Sequence, residues 1–267
     1  MNPNASGTIV FDGPQVIHED RIGDIASALG TATAARTARM VPFAGPAAAG
    51  DEAILAALQI DTARSFVVGH EYQWARSFVI GEQVRCVLSV GDLWERGSNC
   101  FGEVLCQFTD RDGELVHLQR STFLELAAPP HRGSAATRAQ GDLPPGDPSL
   151  FPIGPITRVQ MSRYAGATRD FNPIHIDEPY ATGPAGMPAV AASGGMILTL
   201  ALDHLLASRA IERVHKFGGR LTHPVFPGDC LSVTSSSEGQ FTVTKHDGTV
   251  AVEGVYESVP AAILGAP

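Results

Sequence analysis

Asp170 and His175 stand on either side of an Asn-Pro pair in the stretch Tyr164–Asp177, YAGATRDFNPIHID. Pro173 lacks an amide donor and disfavours helical backbone at Asn172, so a helix running through Tyr164 is predicted to end at about Phe171. That places Asp170 on the last helical turn and His175 in an extended segment beyond it. A chain reversing there can aim both side chains at one point. A carboxylate and an imidazole that converge on one water make an acid/base pair, because imidazole exchanges protons near neutral pH. Such a pair suits a reaction that loses a proton at one atom and gains one at its neighbour. Two other readings of the same residues stay open. Asp170 and Asn172 can simply form a turn, with His175 a satisfied core histidine. His175 and Asp177 can also be two ligands of a metal, although no third ligand follows in a recognisable spacing.

Around this stretch lie the elements that must position it. Gly195–Ala207 (GMILTLALDHLLA) is apolar on nearly every face and is predicted to be a helix buried inside the fold, with Asp203 and His204 as its polar edge. Val84, Cys86, Leu88 and Val90 alternate with Arg85, Val87 and Ser89, as in a half-buried strand. Asn99–Thr109 and Glu114–Leu124 read as a hairpin across an Asp-Gly turn. The Pro-, Gly- and Ala-rich run 127–152 reads as an exposed linker. It separates residues 1–126 from 153–267.

The two parts carry matched landmarks in the same order. RSFVIGE (Arg76–Glu82) pairs with HPVFPGD (His223–Asp229), RDGEL (Arg111–Leu115) with HDGTV (His246–Val250), and IASALG (Ile25–Gly30) with YAGATR (Tyr164–Arg169). A duplication follows, of α+β class, each copy placing a helix before antiparallel strands. The copies differ in length. Gly81 to Asp112 is 31 positions and Gly228 to Asp247 is 19, so the second sheet is expected to lack about a hairpin's worth of chain. The short counterpart of the buried helix in the first copy is Asp51–Leu58.

Bulk properties narrow the field. The 267 residues carry a formal charge of −9, which argues against a nucleic-acid partner. Cys86, Cys100, Cys106 and Cys230 have no zinc-binding spacing and read as reduced thiols of a cytoplasmic protein. The first residues lack the pattern of a signal peptide, and the longest apolar run is too short to cross a bilayer, so no membrane partner is expected.

YAGATRDFNPIHID resembles the signature of MaoC-like, (R)-specific enoyl-thioester hydratases and dehydratases, close to Y-A-x-x-S-G-D-x-N-P-I-H-x-D. Tyr164, Ala165, Asp170, Asn172, Pro173, Ile174, His175 and Asp177 fall in register, and HEYQWARSFVIGE (His70–Glu82) with RDGELV resembles the degenerate partner of two-repeat members. The resemblance implies a double hot-dog fold: two antiparallel sheets, each wrapped around a helix, fused in one chain. It implies that residues 1–126 are a non-catalytic hot dog on the acyl side and that 153–267 are the catalytic one. By resemblance Asp170 and His175 are the catalytic dyad, with Asn172 orienting the loop or the water. The glycine amide that binds the thioester oxygen falls at Gly194-Gly195-Met196, with Gly195 favoured. A helix N-terminus supplies free amides suited to a developing enolate oxygen, and Ser193 is positioned to cap it.

The substrate implied is an acyl chain linked to CoA or acyl-carrier protein. No metal or redox cofactor is implied. Arg209, Arg213, Lys216 and Arg220, read as lying between the buried helix and the next strand, are candidate phosphate contacts or else solvated charges. Pairing of two chains into a homodimer rests on the resemblance alone. Two departures from the pattern are Arg169, where glycine is usual, and Ser193-Gly194, where a histidine commonly precedes the helix glycine. In the first copy Thr31 falls opposite Asp170 and Arg36 opposite His175. Neither can shuttle protons, so one site per chain is expected. A hot-dog thioesterase and a non-catalytic acyl-thioester-binding or assembly partner are the rival readings.

Overall fold

Val84, Cys86, Leu88 and Val90 are all buried, as one face of a pleated strand against a core requires. The computed structural model describes residues 1–40, 51–61, 63–128, 152–208 and 214–258. The first copy contains β1 (Ile9–Val16), α1 (Glu19–Leu29), α2 (Ala34–Ala38), α3 (Asp51–Leu58), β2 (Ser65–Trp74), β3 (Gln83–Arg96), β4 (Asn99–Thr109) and β5 (Leu115–Glu125). The second contains α4 (Arg158–Thr168), α5 (Pro173–Ile176), α6 (Glu178–Thr182), α7 (Gly194–Ala207), β6 (Val214–Leu221), β7 (Leu231–Ser235), β8 (Gln240–Lys245) and β9 (Val250–Ser258). The expected linker 127–152 lies outside the described residues apart from 127, 128 and 152. No helix among the described residues is long and apolar enough to cross a membrane.

Where two separate sheets were expected, the strands form one nine-stranded antiparallel sheet in the order β1-β3-β4-β5-β2-β6-β9-β8-β7. The reason is the pairing of Gly69–Gln73 on β2 with Lys216–Arg220 on β6. Glycine makes that joint close enough. A Cβ at Gly218 would stand 2.6 Å from the His70 carbonyl oxygen, and one at Gly219 would stand 3.1 Å from Leu198 of α7. About this joint the order reads the same outward in both directions. β5-β4-β3 is matched by β9-β8-β7, and the bridge of Ile153 to Leu231 stands where β1 pairs β3.

The paired landmarks take the same backbone form. Gly81 and Gly228 have φ of 83° and 92°, and Gly113 and Gly248 have 84° and 83°. Glu82 accepts a hydrogen bond from the Val79 amide and pairs with Arg76 at 2.8 Å. Asp229 accepts from the Phe226 amide and pairs with Lys245, also at 2.8 Å. The expected shortfall falls within one hairpin of the second copy. Its β7 and β8 are 5 and 6 residues long where β3 and β4 are 14 and 11, so one hairpin is shortened rather than lost.

Helix α7 lies in the core, with ten of its side chains buried. Asp203 is not a polar edge: it is 1% exposed. Its carboxylate accepts hydrogen bonds from the hydroxyls of Thr31, Thr33 (2.8 Å) and Thr37 (2.5 Å). The residue opposite Asp170 in the repeat thus anchors the first copy to the buried helix of the second.

His117 on β5 is fully buried among the rings of Tyr72, Trp74, Phe78 and Phe108, and neither ring nitrogen has a hydrogen-bond partner among the described residues. Burial pushes its pKa from 6.5 down to about 3. The unfolded chain therefore takes up this proton below about pH 6.5 while the folded one refuses it until about pH 3. Stability from this group is full above 6.5 and falls as the solution is acidified. Replacing His117 with leucine removes two unsatisfied nitrogens at similar volume. The expected gain at pH 7 is about 1–3 kcal/mol, with a shallower loss toward acid. Urea midpoints at pH 7 and pH 5 check both. A lower midpoint at pH 7 would refute the assignment.

Candidate active site

The dyad is built by three local devices. Helix α4 starts in a capping box, Thr157 with Gln160, and ends at Arg169 in left-handed backbone, φ 59°. Its counterpart Gly30 ends α1 with φ 72°. A left-handed cap is where glycine costs least, which explains the glycine usual at this place in the signature. Arg169 accepts the conformation at a cost and carries an exposed side chain. Burial, and then the charge of Arg169, lower the pKa of Arg21 on α1, the helix that packs on α4. Asp170 follows directly, its amide bonded back to the Ala165 carbonyl at 3.0 Å.

The segment after Asn172 is not extended, as the sequence reading had it, but a short helix, α5. Proline suits a first helical position because the amide it lacks would be unpaired there. The Asn172 side chain caps the turn by accepting from the Ile174 amide at 3.2 Å. Asn172 therefore holds the turn that carries His175. Asp177 caps α6 in the same way, accepting from the Tyr180 amide at 3.2 Å. That use occupies the second residue of the candidate metal pair. Among the described residues no group of three or more His, Cys, Asp or Glu side chains is arranged to hold a metal ion.

His175 Nδ1 lies 2.7 Å from the Ala191 carbonyl oxygen. A carbonyl only accepts, so Nδ1 carries the proton and the neutral ring presents a bare Nε2. That atom lies 3.8 Å from Asp170 Oδ2. The gap is too long for a direct hydrogen bond and short enough for both atoms to touch one water molecule. The segment that fixes His175 also starts the buried helix. Ala191 bonds α5 through the Ile174 carbonyl, Ala192 bonds Val225, and Ser193 caps α7 by accepting from the Met196 amide at 3.2 Å. The Met196 donor is thereby spent. The amides of Gly194 and Gly195 have no hydrogen-bond partner among the described residues. Gly194 is packed against Leu221, whereas a Cβ at Gly195 would meet only two phenol oxygens, of Tyr164 at 3.5 Å and Tyr72 at 3.9 Å. Of the three candidates, Gly195 is the one that faces the site.

The Asp170 charge reaches the same space. Tyr72 has its pKa raised by burial first, then by Tyr164 and Asp170. Tyr164 is raised by burial, opposed by its bond to Thr199, and raised again by Asp170. Burial pushes His70 down to about 4, with Asp170 opposing. The sequence reading assigned no role to His70 or Tyr72. The available signal was the alternation His70, Tyr72, Trp74, which puts three polar aromatics on the buried face of one strand.

Of the four candidate phosphate contacts, only Lys216 and Arg220 lie among the described residues, and Arg209 and Arg213 lie outside them. Lys216 and Arg220 belong to strand β6 itself rather than to the connection before it. There they face Glu257 at 3.6 Å and Glu253 at 2.5 Å on the neighbouring strand.

Residues 142–259 match the family model of the MaoC like domain. This part of the chain, less than half of its length, is similar to that domain. It contains the dyad, the α5 turn and the whole of α7. Part of the chain is also similar to the fatty acid synthase beta subunit pigK of Monascus ruber, 30% identical over 130 residues. That match covers 48% of this chain and 6% of the relative, so this chain spans a small fraction of it. Among solved structures, a MaoC-like dehydratase from Phytophthora capsici is 17% identical with a TM-score of 0.71, and 97% of each chain is covered. A Mycobacterium tuberculosis protein with a double hotdog fold is 14% identical with a TM-score of 0.59, over 95% of this chain and 96% of that one. The fold is a hot-dog fold, and the match to the MaoC like domain covers its C-terminal part.

Proposed function

We propose that the chain is a double hot-dog hydro-lyase. It adds water to a trans-2-enoyl thioester to form the (R)-3-hydroxyacyl thioester, or runs the reverse dehydration. The observation that carries this is His175 Nε2, 3.8 Å from the Asp170 carboxylate, on a ring held by the Ala191 carbonyl just before the segment that opens α7. Water held between the two loses a proton to the dyad as its oxygen bonds to C3. Electron density moves to the thioester oxygen, which the Gly195 amide stabilises as it becomes enolate-like. The dyad returns a proton to C2 and the carbonyl re-forms, so H and OH have added across the double bond. Asn172 acts through the α5 turn as a positioning residue.

Residues 153–267 are the unit that carries the dyad and 1–126 the unit without one, in keeping with the mirrored strand order. The MaoC-like domain and the likeness to a fatty acid synthase subunit support an acyl thioester of CoA or acyl-carrier protein as the substrate class. Incubation of the purified chain with crotonyl-CoA tests the reading. Loss of the enoyl absorbance without release of free thiol is expected. Thiol release without hydration identifies a thioesterase instead, and binding without turnover a carrier or assembly partner.

A further inference from the structure

We propose that the Tyr72 hydroxyl, supplied by the first copy, is a second hydrogen-bond donor to the thioester oxygen, beside the Gly195 amide. The inference rests on the hydratase reading and adds a residue to it. Tyr72 lies on β2, opposite Phe217 of β6 and Gln119 of β5, and is 7% exposed. Its ring is held between His70 and Trp74, with centroids 5.9 and 5.8 Å away and planes inclined by 18° in each case. The phenol oxygen is thus aimed by packing alone. It has no hydrogen-bond partner among the described residues, although its ring is buried.

The neighbouring hydroxyl cannot serve in its place. Thr199 Oγ1 donates its one proton to the Gly195 carbonyl at 2.7 Å. Tyr164, 2.9 Å from the same Oγ1, must therefore donate to Thr199, and it turns only lone pairs toward the site. Tyr72 is left as the hydroxyl over Gly195 whose proton is uncommitted. Burial, with Tyr164 and Asp170 nearby, keeps that proton on the oxygen. The phenol oxygen is not among the fully buried atoms that lack a partner, so its proton is open to an acceptor that enters from outside the protein. An oxygen that gains negative charge during the reaction is such an acceptor, and an amide and a phenol on either side of it form a two-donor hole.

Tyr72→Phe tests this against Asp170→Asn and the wild type. The melting temperature of Tyr72→Phe should stay at the wild-type value, since no bond within the protein is lost. With crotonyl-CoA, kcat should fall about 10²–10³-fold while KM changes little. A 2,4-dienoyl-CoA gives an independent readout, because a polarised conjugated thioester absorbs at longer wavelength. Its red shift per bound ligand should shrink in Tyr72→Phe and persist in Asp170→Asn. Wild-type kcat and wild-type red shift in Tyr72→Phe, with Asp170→Asn inactive, overturn the role of Tyr72 and leave the hydratase reading standing. A wild-type chain that neither hydrates nor polarises its ligand overturns both.

Discussion

Asp170→Asn is expected to cut the hydration of crotonyl-CoA by about 10²–10⁴-fold, the usual contribution of a positioned acid/base group. The substitution keeps shape and volume and removes the charge. Asp170 is half-buried, and its backbone is held by the Ala165 carbonyl rather than through its side chain. The fold should therefore survive, and circular dichroism and thermal melting serve as controls. What is lost is chemical. An amide in place of the carboxylate, 3.8 Å from His175 Nε2, cannot accept a proton. Removing the negative charge also withdraws one of the influences that raise Tyr72 and Tyr164, and the one that opposes the lowering of His70. The expected profile is a collapse of kcat without a matching rise in KM. Turnover within a few-fold of wild type would end the case for the dyad.

Asp203→Ala is expected to have the largest effect on stability, of about 3 kcal/mol. Three threonine hydroxyls converge on this one carboxylate at 1% exposure. Loss of the acceptor removes three hydrogen bonds, of which that of Thr37 is fully buried and those of Thr31 and Thr33 are partly so, and a buried bond lost costs roughly 1–3 kcal/mol without full additivity. In a chain of this size each kcal/mol moves the melting temperature by about 2–4 °C. Asp203→Asn keeps one acceptor oxygen and should fall between the alanine variant and wild type. Urea unfolding with an unchanged slope and a lower midpoint checks the effect. A midpoint equal to wild type would mean that the threonines find other partners.

What was legible in the sequence is what local chemistry dictates. The Asn-Pro pair and its flanking acid and imidazole lie within six residues, so the turn that joins them could be read directly, although proline starts a helix there rather than an extended run. The alternation of β3 and the Asp-Gly turns could be read for the same reason. Relations between distant residues could not. Thr31 and Asp203 are 172 positions apart. Tyr72 reaches Gly195 only because β2 pairs with β6, and nothing in either strand announces that partner. The single sheet was missed on the same account. The count of positions gave the length missing from the second sheet but not where it is taken from, which is the trimming of two strands.

The mirrored order of the sheet bears on why the two copies share a chain. Were the first copy alone, β2 would be an outer strand of ten residues offering a row of unpaired donors and acceptors to any other chain. The second copy alone would leave β6 in the same state. Covalent fusion keeps the complementary edge at high effective concentration, so each strand meets its proper neighbour before it meets a stranger. The joint thus guards against aggregation as well as completing the structure.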